Sequence, residues 1–172
     1  MRKYLLNSFL LATIALLSAC QTAPLNVVHV KKENFNEGNY VSFKVSHTSV
    51  DAKQEAEELI TNAIAEIMIE KGYVDGANPD FEIRYSIKTS QSTRLEVQSP
   101  ESMGIEGHPP QMEAVFEARM LVNVIDTKTN EVIWKAASSR DLSQVNIQKF
   151  DASKAHDRMH EMFEHFPARY WW

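Results

Sequence analysis

His156, His160 and Glu164 stand at i, i+4 and i+8 near the end of a 172-residue chain. On a helix that spacing lines up two imidazoles and a carboxylate, a set able to hold a divalent metal. The stretch His156-Asp157-Arg158-Met159-His160 has the histidine spacing of a zincin helix, in which a glutamate beside the first histidine serves as general base. Here Asp157 takes that place, one methylene shorter. The apolar neighbours Ala155, Met159 and Phe163 already account for the helix as a packing element, so the trio is only a minor metal candidate. No metal or other cofactor is expected. Nucleophilic chemistry has less support, because no serine sits in a nucleophile elbow and the one cysteine has another use. Many carboxylates are present, yet none forms an isolated apolar pair suited to acid–base work. The chain is not expected to be an enzyme.

That cysteine is Cys20, and its use follows from the residues before it. Arg2 and Lys3 form a positive start, an apolar run extends from Leu5 to Leu17, and Ser18 and Ala19 are small, the three parts of an export signal. Gln21-Thr22 ends the run short of the roughly 20 apolar residues a spanning helix needs. Leu17-Ser18-Ala19-Cys20 resembles the lipobox of bacterial lipoproteins, which makes Cys20 the acylated first residue, carrying diacylglyceryl and palmitate chains. A multiply acylated cysteine is retained in a bilayer almost permanently. Gln21 stands where an Asp resembles an inner-membrane retention signal, so the expected address is the outer membrane, facing the periplasm. The division is then 1–19 signal peptide, 20–25 lipidated cysteine and short tether, and 26–172 one domain. Six residues from Gln21 to Asn26 reach roughly 20 Å, which holds the domain close to its bilayer.

Removal of the signal leaves 153 residues with 16 basic and 23 acidic side chains, net −7. One core is expected at this length. The acidic balance argues against nucleic acid or anionic lipid as the main ligand. With its thiol acylated the chain has no cysteine left for a disulfide, so packing must supply the stability.

The elements that position these residues are read from periodicity. Asn26 to Val30 and Tyr40 to Val45 favour strands, and Asn34 to Asn39 carries turn residues, which predicts a first hairpin. Asp51 is positioned to cap a helix whose Leu59, Ile60, Ala63, Ile64, Ile67 and Met68 recur at three- and four-residue spacing up to Lys71-Gly72. Its other face carries Lys53, Glu55, Glu58, Asn62, Glu66 and Glu70, read as a solvated stripe. Phe81, Ile83, Tyr85 and Ile87 alternate with polar residues, as in a half-buried strand. Ala114 to Ile125 alternates in the same way, and Asp126 to Asn130 turns it into Glu131 to Ser139 with Trp134 in its core, a second hairpin. Ser90 to Met112, polar and punctuated by Pro100, Gly104, Gly107, Pro109 and Pro110, reads as a long loop, either a contact region or a mobile insertion without a partner. Asp151 opens a last helix stopped by Pro167, before the aromatic tail Tyr170-Trp171-Trp172.

Four blocks in this order carry a resemblance: Lys71-Gly72-Tyr73; Asn78-Pro79-Asp80-Phe81 with Arg84 and Tyr85; Val124-Ile125-Asp126-Thr127-Lys128-Thr129-Asn130 leading into Val132-Ile133-Trp134; and Phe166-Pro167. Together they resemble a group of bacterial lipoproteins catalogued as domain of unknown function 4136. The resemblance implies an α+β domain with a curved antiparallel sheet and helices on one face, and it implies no reaction.

The expected fold is therefore α+β, with an antiparallel or mixed sheet of about five strands and two helices packed on one face. The expected role is a non-catalytic binding or scaffolding module of the cell envelope. Its partners would be the membrane, through the lipid anchor, and an envelope protein met through Met103, Ile105 and His108 or through Tyr170, Trp171 and Trp172. The alternative is a carrier of a small hydrophobic or lipid-like ligand in a groove between sheet and helices.

Overall fold

The computed structural model describes residues 26–33, 35–50, 53–96, 111–142 and 150–169. In chain order the elements are β1 (Asn26–Lys31), a 3-10 turn (Glu37–Asn39), β2 (Ser42–Val50), α1 (Gln54–Glu70), β3 (Val74–Asp75), β4 (Phe81–Glu96), β5 (Gln111–Asp126), β6 (Val132–Asp141) and α2 (Ala152–Met162). They build one six-stranded sheet in the order β1-β6-β5-β4-β2-β3. Both helices pack on one face of it.

The sheet is mixed, which corrects the largely antiparallel expectation of about five strands. β1–β6, β6–β5 and β5–β4 are antiparallel, whereas β2 runs parallel to both β4 and β3. The cause is α1: a strand followed by a helix that crosses the sheet re-enters at the same end, so β2 and β4 must point the same way. The hairpin predicted between 26–30 and 40–45 does not form. β1 and β2 lie on opposite sides of the sheet, and the turn residues between them make the Glu37–Asn39 3-10 turn instead. The second hairpin, β5–β6, is present. In its turn Asp126 Oδ1 accepts from Lys128 N and Thr129 N at 2.7 and 2.9 Å, and Asn130 takes a left-handed φ of 57°, which asparagine tolerates.

The stretch expected as a loop from Ser90 to Met112 is strand at both ends. β4 continues to Glu96 and β5 begins at Gln111, paired Glu96↔Gln111. β2 accompanies β4 only to Ile87, and β6 accompanies β5 only from Glu117. A two-stranded ribbon therefore runs past the sheet for about 30 Å, at about 3.4 Å per residue. Its exposed residues Lys88 to Thr93 are mostly polar, so no apolar alternation marked them as strand.

α1 ends as its sequence suggests. Gly72, at φ 88°, donates to Ile69 O at 2.9 Å, and Tyr73 N donates to Met68 O at 3.0 Å, the paired bonds of a Schellman cap that needs a left-handed residue at Gly72. At its start the N-cap is Lys53, which makes no side-chain cap; the expected cap, Asp51, lies outside the described residues. α2 is capped by Asp151, whose Oδ1 accepts from Lys154 N at 3.0 Å. It ends at Met162, earlier than the expected stop at Pro167, because Phe166 N turns back to Phe163 O at 2.9 Å.

The space between sheet and helices is filled by rings. Trp134 stacks on Phe163 at 5.4 Å and meets Phe166 edge-on at 5.2 Å, and Tyr73 meets Phe81 edge-on at 5.1 Å. Trp134 is 1% exposed, in the core as its strand predicts. Among the described residues no helix covers the opposite face of the sheet, which carries Lys44, Glu82, Arg84, Arg119 and Lys135, with Val28 and Leu121 exposed among them. Among the described residues no helix is long and apolar enough to cross a membrane.

Candidate functional site

β3 pairs only with Ser42 and Phe43, so among the described residues β2 has no strand neighbour on its outer side from Lys44 onward. α1, returning along β2, stands over this bare edge and turns it into a groove of about 600 Å³ lined by Val45, Ser46, His47, Glu57, Glu58, Thr61 and Asn62. The backbone alternation says which groups face the groove. Phe43 O accepts from Gly76 N on the outer side, while Ser42 O accepts from Asp80 N on the inner side. Val45 and His47 therefore direct their N–H and C=O outward, as Phe43 does.

The walls are polar and acidic. His47 Nε2 lies 2.9 Å from Glu57 Oε1, and Glu58 Oε1 accepts from Gln54 at 3.1 Å. Beneath them Tyr85, fully buried, places its hydroxyl 2.8 Å from Thr61 Oγ1 and donates to Glu57 O at 3.2 Å. Burial pushes the Tyr85 phenol above its ordinary pKa, against the pull of the Thr61 hydrogen bond, so it remains a donor. Thr61 is committed to Tyr85, and the imidazole to Glu57. What the groove offers is a row of hydrogen-bonding backbone groups and two carboxylates, a surface suited to an extended, cationic ligand.

A second polar cluster sits at the other end of β2. Asp80 Oδ2 accepts from Val41 N, Ser42 N and Ser42 Oγ at 2.9, 3.1 and 3.2 Å. Tyr40 donates to Asp126 Oδ2 at 2.8 Å. Hydrogen bonding from Val41 N holds Asp80 below the usual carboxylate range despite its partial burial. Burial and the Asp126 bond push Tyr40 up to about 12. Every group here is matched within the fold, which identifies a structural clasp.

The residues singled out from the sequence fall as follows. Leu17, Ser18, Ala19 and Cys20 lie outside the described residues, as do Met103, Ile105, His108, Tyr170, Trp171 and Trp172. His156 and His160 do share a face, with ring centroids 6.4 Å apart, but His156 Nε2 turns to Glu70 Oε1 at 3.3 Å. Glu164 lies beyond the helix end, so the i+8 spacing does not place it with them. Among the described residues no three metal-ligating side chains converge. Sequence reasoning missed His47 and Glu57. It did register Glu58 and Asn62 in the charged stripe of α1, with nothing to say that a bare strand edge lies beside them.

A family model described as Domain of unknown function (DUF4136) matches residues 27–168. No curated protein sequence matches the chain. Among solved structures, a PDZ domain protein from Parabacteroides distasonis is similar at TM-score 0.57 and 15% identity over 86% of this chain, which spans 36% of that one. The PelC dodecamer from Paraburkholderia phytofirmans is similar at TM-score 0.51 and 15% identity over 85% of this chain and 99% of that one. A DUF4136 family protein from Bacteroides thetaiotaomicron aligns at TM-score 0.49 and 14% identity over 84% of this chain and 96% of that one.

Proposed function

This chain belongs to the DUF4136 family, and on that premise we propose that it is a non-catalytic binding or scaffolding module of the cell envelope, lipid-anchored through Cys20 in the outer membrane and facing the periplasm. The observation that carries the binding role is the groove between the bare edge of β2 and α1, where outward backbone groups of Val45 and His47 meet the carboxylates of Glu57 and Glu58. Such a groove takes an extended segment as an added strand: main-chain hydrogen bonds give affinity and the walls give selectivity. PelC, which shares the fold, is a dodecamer, which supports reading this domain as a unit of assembly. The address rests on the lipobox-like Leu17-Ser18-Ala19-Cys20 and on Gln21 after it.

In-cell crosslinking tests the role. A photoreactive residue at Glu58 or Asn62 should give a discrete adduct that the same residue at Lys128, at the far end of the sheet, does not. Equal labelling from both ends, or none from the groove, counts against a binding groove there.

A further inference from the structure

We propose that the segment received by this groove is strand β1 of a second copy of the chain, so that the sheet continues head to tail from one molecule to the next. This rests on the groove being a binding surface, as proposed above, and names its occupant.

Among the described residues both edges are bare, and they match in four respects. The first is strand sense. Following the pairings across the sheet, β1 and β2 of one molecule run in opposite directions. A neighbour turned about an axis along the strands therefore presents its β1 antiparallel to β2, and antiparallel pairing is the more stable kind.

The second is the parity of the pleat. Lys32 N donates to Ile133 O on β6, so the even residues of β1 bond inward and Val27, His29 and Lys31 direct N–H and C=O outward. These same odd residues have side chains on the helix side: Val27 packs on the core and His29 lies over Trp134. On β2 the outward residues Val45 and His47 also have side chains on the helix side, like buried Phe43. Directly paired residues share a face, so joining these edges keeps both helix layers on one side of a continuous sheet. Opposite parity on either strand would have placed the two molecules' helix layers on opposite faces of the joined sheet.

The third is charge. β1 ends in Lys31, exposed on the helix side, and the groove wall is Glu57 and Glu58. The fourth is the anchor. In a head-to-tail arrangement every Asn26 lies at the same end of the strands, as the proposed anchoring of every copy in one bilayer through Cys20 requires. Pairing β1 with β1 would put the two Asn26 residues at opposite ends of the joined strands. A heterologous contact of this kind closes into a ring or runs on as a filament.

Paired cysteines in the full-length lipoprotein test this in intact envelopes. Val30→Cys is combined with Ser46→Cys, the register that sets His29 opposite His47 and Lys31 opposite Val45, or with Lys44→Cys as the control, since that register would set Lys31 against the Phe43 carbonyl already held by Gly76 N. On mild oxidation the Ser46→Cys pair should give a ladder of dimers, trimers and higher species on a non-reducing gel, and the control pair and each single variant should give none. Lys31→Glu should cut that ladder about tenfold, and adding Glu58→Lys should restore it. Dimers from Val30→Cys alone, or no ladder from the Ser46→Cys pair, overturn the proposal. If the ladder is absent while a photoreactive residue at Asn62 still captures a different protein, the groove binds but not its own kind. If both are absent, the groove reading fails with it.

Discussion

Thr127 and Asp80, 47 residues apart in sequence, are tied twice: Thr127 N donates to Asp80 O at 3.0 Å, and Thr127 Oγ1 donates to the same carbonyl at 3.0 Å. The Asp80 carboxylate reaches the other way, to the amides of Val41 and Ser42. One residue thus fastens the β5–β6 turn, the start of β4 and the start of β2, three segments distant in the chain. The blocks that carry the family resemblance meet here and at Tyr73, whose hydroxyl donates to Pro167 O at 3.1 Å.

Asp80→Ala should therefore destabilise the domain by about 1–3 kcal/mol, since it strands two backbone donors. Asp80→Asn, which keeps an acceptor, should cost less. Urea unfolding followed by tryptophan fluorescence checks both. Equal stability of wild type and the Ala variant would contradict the clasp.

Stability should fall at both ends of the pH scale. Asp80 is held low chiefly by the Val41 amide. In Asp126 burial pushes upward, but the bonds from Thr129 N, Tyr40 and Lys128 N outweigh it. Folded-state values below the unfolded ones mean that this stability is present above the ordinary carboxylate range and is lost as pH falls through the folded values. Tyr40, pushed up to about 12 chiefly by burial, acts with the opposite sign. Its contribution is complete below the ordinary phenol pKa of about 10 and is lost as pH climbs from there toward the folded value. Melting temperature against pH, with Tyr40→Phe flattening the alkaline limb and Asp80→Asn the acid limb, tests the assignment.

Trp134→Ala should cost about 3–5 kcal/mol, the range for emptying a large aromatic from a core. Trp134→Phe should cost much less than that. The indole Nε1 has no hydrogen-bond partner among the described residues, so its removal strands nothing, and the remaining ring still stacks on Phe163.

Cys20→Ala should release the protein from the membrane fraction and abolish incorporation of labelled palmitate. A flexible insert of about 40 residues after Gln21 should leave lipidation intact and impair envelope function if closeness to the bilayer matters. Full function with the insert would show that it does not.

What could be read from the sequence was local and periodic. Ile60, Ala63, Ile64, Ile67 and Met68 gave α1, and Gly72 gave its end; Val122 and Val124 with Trp134 across the Asp126–Asn130 turn gave the β5–β6 hairpin. The polar ends of β4 and β5 escaped because Ser90, Gln91 and Ser92 have no buried face to impose a period of two. The parallel pairing of β2 with β4 escaped because it is decided by where α1 returns the chain, which no pattern within either strand records. The groove escaped for a related reason. Glu58 and Asn62 read as a solvated face until β3, two residues long, left the rest of β2 bare beside them.

Strand β1 also has a mechanical meaning. It is the first described strand, and any tension on the chain before Asn26 enters the domain through its six register pairs with β6. A pull along the strand loads those pairs together, in shear. A pull across it opens them one after another from the Asn26↔Ser139 end. The direction of a tug on the tether therefore decides whether the domain resists as a glued seam or yields as a zipper.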